Sequence, residues 1–169
     1  MKPKPIRTGK RWRLPGDIVD PATRSRMMAG IKAGNTGPEL AVRRALHAHG
    51  FRFRLHARSL PGKPDIVLPR WKAVIFVHGC FWHGHDCPLF KLPSTRRDFW
   101  KAKLERNRER DREVTAILES TGWRILNVWE CALKGKEKLG IRMVADLVDQ
   151  WLREGEGNMD VRGAASADR

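Results

Sequence analysis

Acidic residues are scarce in this chain. Its 169 residues include 19 Asp and Glu against 34 Lys and Arg, a formal net charge of +15. Such a surface repels basic partners and points to a polyanion, nucleic acid first of all. The excess is not confined to one end. The first sixteen residues contain six bases (Lys2, Lys4, Arg7, Lys10, Arg11 and Arg13) and no acid, yet without them 28 bases still face 19 acids, a charge of +9. Long apolar runs are also missing: no stretch approaches the ~20 residues that span a bilayer. The basic N-terminus lacks the apolar run of a secretion signal. Cysteine is rare too, at three residues. In a chain without export features, a reducing cytoplasmic setting is expected, where thiols are more often metal ligands than halves of disulfides. There is no internal repeat, and the length suits one domain with a sizeable core.

Two of the three cysteines and three of the six histidines lie in ten positions, His78-Gly79-Cys80-Phe81-Trp82-His83-Gly84-His85-Asp86-Cys87. Thiolate and imidazole at this density suit Zn²⁺. Cys80, His85 and Cys87 fit on one turn, and Cys131 supplies a fourth donor from a distant segment. His83 is an alternative fourth ligand. A closed four-ligand site has no position for water, so such a zinc would be structural.

Residues 1–20, rich in Pro, Gly and Arg, are expected to form a mobile basic arm. Thr36 followed by Pro38 and Glu39 marks a helix start, and Leu40, Ala41, Ala45 and Leu46 carry a helix over about 37–49. Phe51, Phe53 and Leu55 alternate with Arg52 and Arg54 as in a half-buried strand. The runs Ile66-Val67-Leu68 and Ala73-Val74-Ile75-Phe76-Val77 then complete a meander. A long, mostly basic helix is predicted over about 97–120, a strand over 123–129 paired in parallel through that crossover, and a closing amphipathic helix over 137–152 using Leu139, Met143, Leu147 and Trp151. The expected organisation is one α/β domain over 21–152, with a mixed central sheet flanked by helices, followed by a disordered tail over 153–169.

Pro64-Asp65 falls at the mouth of the second strand, because Pro61-Gly62-Lys63-Pro64 cannot continue a ladder. A carboxylate there, beside the end of the next strand at Val77-His78, has the layout by which many nucleases hold Mg²⁺ near a phosphate. An Asp after Pro is also an ordinary turn residue.

The stretches Ala22-Thr23-Arg24-Ser25-Arg26, Ser59-Leu60-Pro61-Gly62-Lys63-Pro64-Asp65, Val74 through His83, Phe99-Trp100 and Val128-Trp129-Glu130-Cys131-Ala132-Leu133 together resemble the very short patch repair (Vsr) DNA mismatch endonucleases, over about residues 20–152. The resemblance implies a restriction-endonuclease-like fold, a structural zinc, and Mg²⁺-dependent nicking of duplex DNA 5′ of a thymine mispaired with guanine, the product of 5-methylcytosine deamination. It puts the metal-binding aspartate at Asp65, with the backbone carbonyl of Val77, the catalytic histidine at His83, a supporting histidine at His78 and a helix glutamate at Glu39. Glu39 is equally well explained as the second half of a capping box with Thr36. The implied zinc ligands, Cys80, His85, Cys87 and Cys131, agree with those drawn from spacing. The chain departs from the family pattern at Val77, which replaces a threonine, and at Gly84 and Asp86, which replace histidines.

On this reading His83 is the general base and His78 stabilises the phosphate or leaving group. Phe81, Trp82 and Trp100 would wedge between base pairs, which opens a mismatched step more cheaply than a paired one. Trp123, Trp129 and Trp151 are expected in the core. The implied partners are duplex DNA bearing a T:G mismatch and mismatch-repair or repair-polymerase proteins, with a monomer acting at the bacterial nucleoid and no membrane. The reading from another class is a non-catalytic zinc-stabilised DNA-binding protein, which would not need Asp65 or His83. A zinc nucleobase deaminase is excluded by motif, since His83-Gly84-His85 and Cys87-Pro88 lack its Glu and its Pro-Cys-x-x-Cys.

Overall fold

The computed structural model describes residues 20–30 and 34–164. The proposed arm therefore lies, except for Asp20, outside the described residues. After α1 (Pro21–Ala29) come α2 (Gly37–Ala48), β1 (Arg54–Leu55), β2 (Ile66–Leu68), a 3₁₀ turn (Pro69–Trp71) and β3 (Ala73–His78). The chain then forms α3 (Arg97–Ser120), β4 (Arg124–Trp129), α4 (Glu130–Leu133), α5 (Ile141–Glu154) and β5 (Met159–Val161). The sheet order is β1-β2-β3-β4-β5, antiparallel from β1 to β3 and parallel from β3 to β5. The mixed α/β sheet expected from the sequence is therefore present. No helix of the described residues is long and apolar enough to cross a membrane.

Strand alternation divides the core. Ile66, Leu68, Ala73, Ile75, Leu126 and Val128 face one side with Val42 and Leu46 of α2 and Val144, Val148, Trp151 and Leu152 of α5. Val67, Val74, Phe76 and Ile125 face the other, covered by Leu118 and Val114 of α3. Truncating a fully buried residue such as Ile75 to Ala is expected to cost about 2–5 kcal/mol. Arg124 of β4 adds a polar tie, donating to the carbonyls of Trp151 (3.0 Å), Leu152 (3.2 Å) and Gly155 (2.7 Å) at the end of α5. A guanidinium there donates to carbonyls at the helix end, where intrahelical partners run out; the Trp151 carbonyl also accepts the Gly155 amide.

Several expectations need correction. The alternating 51–55 segment buries Phe51, but only Arg54–Leu55 pair as a strand, and His56 at φ 45° turns the chain out of the ladder. The closing helix begins at Ile141, after Gly135 and Gly140 take positive φ angles that a continuing helix cannot use, and Met143 is 51% exposed. On α2 the inward side is Glu39, Val42, Arg43 and Leu46, whereas Leu40 faces solvent. The segment expected to be a featureless tail forms β5, with Val128 opposite Val161. Residues 165–169 lie outside the described residues.

Because β2 is antiparallel to β3, its first residues lie beside the last residues of β3. The parallel neighbour β4 ends at the same edge, with His78 opposite Trp129. Asp65, His78 and Cys131 thus meet where the parallel strands end, the usual position for ligands in open α/β sheets.

Candidate active site and metal centre

Cys80, Cys87 and Cys131 are free thiols, all buried, in a small cluster of their own beside Leu89 and Trp129. Their sulfurs and one nitrogen of His85 lie within 4.8 Å of one another. Four soft donors this close can hold a metal ion, consistent with the ~2.3 Å metal–sulfur bonds of a tetrahedral site. The backbone folds them inward: His85 N–H donates to the Cys80 carbonyl (2.9 Å) and Cys87 N–H to the His85 carbonyl (2.9 Å). The His85 ring stacks on Trp129, with centroids 4.0 Å apart and planes 9° apart. Trp129, expected simply as core, is thus a support for this ring and also lies 5.1 Å from the ring of His78. Burial, with the neighbouring thiols adding to it, pushes the Cys80 thiol above its usual range. Without a metal such thiols stay protonated, and a bound cation would favour the thiolates that act as its ligands.

His83 takes no part in that cluster. Its Nδ1 lies 2.5 Å from Asp111 Oδ2. Burial works against ionisation of Asp111, but the hydrogen bond and the nearby histidines and Arg110 hold its carboxyl below the ordinary value. The pairing leaves Nε2 as the free nitrogen of His83. His78 lies alongside, 4.1 Å from His83 between ring centroids and stacked 5.5 Å from Phe76. Burial first, and the positive field of His83 second, pull His78 down to about 4, so its ring is neutral near pH 7.

Asp65 immediately precedes β2 and accepts a 2.8 Å hydrogen bond from the Val77 amide. Burial raises its pKa; that hydrogen bond opposes the rise and the charge of Glu39 adds to it. His56 and Arg43 offset the rise only in part, so a carboxylate whose charge is disfavoured by burial and by Glu39 stands at this cleft, a group that could take a cation. The N–H and C=O of one strand residue face the same edge. The Val77 carbonyl therefore lies on the Asp65 side, whereas its side chain packs against the main core.

Glu39 performs the capping role: Thr36 Oγ1 accepts from its amide (3.4 Å), its Oε1 receives the Thr36 hydroxyl (3.0 Å) and its Oε2 the Asn35 amide (2.8 Å). It also pairs with buried Arg43 at 2.8 Å, and it lines an open cleft of about 1030 Å³ together with Asp65, His78, His83 and Asp111. Arg43 reaches His56 Nε2 at 2.9 Å, and the other ring nitrogen of His56 lies 4.0 Å from Asp65. The structure thus unites Glu39, Asp65, His78 and His83 in one cleft and the four soft donors in an adjacent cluster.

Phe81, Trp82 and Trp100 form one half-buried aromatic group at the rim, with centroid separations of 5.1, 5.3 and 6.2 Å and Lys103 Nζ over both indoles. Sequence reasoning missed Asp111, Arg43, His56 and the gripping residues of α3. Asn107 donates to the Trp82 carbonyl (2.8 Å), and Arg108 to the carbonyls of His83 (3.3 Å) and Gly84 (2.6 Å). In sequence these are a few polar residues on a helix dense in charge. The available signal was spacing alone, since 107, 108 and 111 share one side of a helix.

Comparison with known proteins agrees with this geometry. The family model "DNA mismatch endonuclease Vsr" matches residues 16–89. The DNA mismatch endonuclease Vsr of Escherichia coli is 46% identical over 141 residues, covering 83% of this chain and 90% of the relative. The type II nicking enzyme V.XorIIP of Xanthomonas oryzae pv. oryzae is 48% identical over 127 residues, covering 75% and 93%. V.NmeAIP, a type II nicking enzyme of Neisseria meningitidis, is 42% identical over 137 residues, covering 79% and 97%. With the motifs, the cleft and these relatives in agreement, the chain belongs to the Vsr family of DNA mismatch endonucleases.

Proposed function

We propose that this protein nicks one strand of duplex DNA 5′ of a thymine mispaired with guanine, by Mg²⁺-dependent phosphodiester hydrolysis. The observation that carries the reading is the His83–Asp111 pair opening onto the same cleft as Asp65. A non-catalytic DNA-binding protein has no need of an imidazole oriented by a carboxylate. Asp65 and the Val77 carbonyl would hold Mg²⁺, which when bound supplies positive charge against the phosphate and polarises nearby water. His83 accepts the proton of the attacking water at Nε2, and Asp111 stabilises the imidazolium that results. His78, neutral at working pH, assists by donating an N–H to a phosphate oxygen and carries no formal charge.

Cys80, His85, Cys87 and Cys131 would hold Zn²⁺, the ion that three thiolates and an imidazole favour, in a closed and hence structural site. The mixed sheet with an acid at a strand mouth supports the restriction-endonuclease-like reading of the fold. Phe81, Trp82 and Trp100 would enter the base stack, with Lys103 behind them toward the phosphates. A nick on the 5′ side leaves a 3′-hydroxyl that a repair polymerase can extend, so such a partner belongs to the reading. One chain supplies every group named, so a monomer suffices.

The test uses a labelled duplex with one T:G pair and its matched control, each with Mg²⁺ or with EDTA. A single nick beside the mismatched T, only with Mg²⁺, is expected, and Asp65→Ala should abolish it. Equal cutting of both duplexes would remove the mismatch assignment. Binding without cutting under every condition would favour the non-catalytic reading.

A further inference from the structure

β5 and the residues that follow it reach the Cys/His cluster at three points. Gly163 N–H donates to Cys131 Sγ at 3.3 Å. Arg162 Nη2 donates to the carbonyl of Asp86 at 2.6 Å, between the ligands His85 and Cys87. Asp160 Oδ1 accepts from Trp129 Nε1 at 3.1 Å, and that indole lies flat on His85. Beyond these, Ala164 N–H donates to the Glu137 carbonyl at 2.8 Å and fixes the end of the segment. Each contact bears on a different part of the ligand set: a sulfur, the loop carrying two ligands, and the ring supporting the imidazole. Position 163 also admits no side chain. A Cβ there would stand 2.7 Å from the Cys131 carbonyl oxygen and 2.9 Å from that of Glu137.

We propose that residues 160–164 are the outer shell of the metal centre, holding the four donors in place and controlling how fast the metal leaves. This rests on reading the cluster as a zinc site. An N–H directed at a thiolate stabilises its charge without competing for the metal, and the Asp86 tether keeps the ligand loop from opening toward solvent. Groups in this position change metal affinity by about 10–100-fold when removed. A strand that only completed the sheet would require neither the N–H···S contact nor the Arg162 reach.

The experiment measures zinc content of the full-length protein, then the rate of zinc transfer to a chromophoric chelator. Wild type is compared with Gly163→Ala, Arg162→Ala and Arg162→Lys, and circular dichroism monitors the fold. Gly163→Ala and Arg162→Ala are expected to release zinc about ten-fold faster or more, with Arg162→Lys restoring much of the difference because it can still donate to the Asp86 carbonyl. Cobalt-substituted Gly163→Ala should show a shifted thiolate charge-transfer band. Arg162 is exposed, so Arg162→Ala carries the test even if Gly163→Ala does not fold. Stoichiometric zinc released at wild-type rates by folded Arg162→Ala would overturn the inference alone. Wild type without zinc would overturn the zinc reading, and the inference with it.

Discussion

Asp65 is a carboxylate in a place that disfavours its charge. Burial first, and Glu39 with it, raise its pKa against the amide bond from Val77 and the charges of His56 and Arg43. A pKa higher in the folded than in the unfolded chain means that the ionised group opposes folding above that pKa. The cost disappears below the ordinary carboxyl value of 3.8, where both states are protonated. Asp65→Asn keeps an oxygen for the Val77 amide and removes the charge. It should abolish nicking and, in EDTA at pH 7, stabilise the protein by about 1 kcal/mol, the usual scale for such a gain. Thermal unfolding across pH tests this: the advantage should shrink as pH falls toward 4, and an asparagine variant less stable than wild type at pH 7 would refute it. Asp111 acts differently, because its hydrogen bond is to His83. Asp111→Asn is expected to lower kcat on the order of 10²–10⁴-fold with little change in KM, since the group supports the imidazolium of the transition state. A change in KM alone would make it a DNA-binding residue.

At the level of elements, the ten-residue loop is held from two sides. Its sulfurs sit in the Cys/His cluster and its middle residues are held by α3, where Asn107 grips Trp82, Arg108 grips His83 and Gly84, and Asp111 pairs with His83. Gly84 has φ 57°, and a Cβ there would collide with the Arg108 guanidinium, so the glycine and the arginine suit each other. Arg108 is largely exposed, and its loss should cost no more than about 1 kcal/mol of stability. Misplacing a base by even ~1 Å can cost on the order of 10²-fold, so Arg108→Ala should lower kcat ten-fold or more while zinc content stays unchanged. Loss of zinc from that variant would mean that the two holds are not separate. The difference in chemistry between the two sides explains what was legible beforehand. Three cysteines and a histidine have few other reasons to gather, so spacing marked Cys80, His85, Cys87 and Cys131, with His83 as the alternative that its pairing with Asp111, outside the cluster, sets aside. An aspartate on a charged helix has many ordinary explanations, and Asp111 became visible only through its distance to His83. β5 was hidden for a similar reason. Asn158, Asp160 and Gly163 read as loop residues, yet Asn158 accepts the Ile125 amide and Asp160 ties Trp129 to the strand.

For the whole molecule, charge and selectivity lie in different places. The net charge of +15 acts on any duplex, because phosphates are the same in every sequence. In the proposed function selectivity depends on the aromatic group of Phe81, Trp82 and Trp100, whose rings contact one another. Matched-duplex binding should therefore depend strongly on salt: with six phosphate contacts, log K falls against log[salt] with a slope of about −5. Removing residues 1–16 takes away six cations and no acid, leaving +9. Each of those cations that neutralises a phosphate contributes about 0.9 to the slope, so the shortened protein should show a slope at least ~2 units shallower and a higher KM at 150 mM salt. The ratio of nicking on mismatched to matched duplex should stay the same within about two-fold, because none of the wedge, the cleft or the metal cluster has been altered. Salt titrations of both proteins on both duplexes measure the slope and the ratio together. A lost mismatch preference in the shortened chain would place selectivity partly in the arm, against its assignment to Phe81, Trp82 and Trp100.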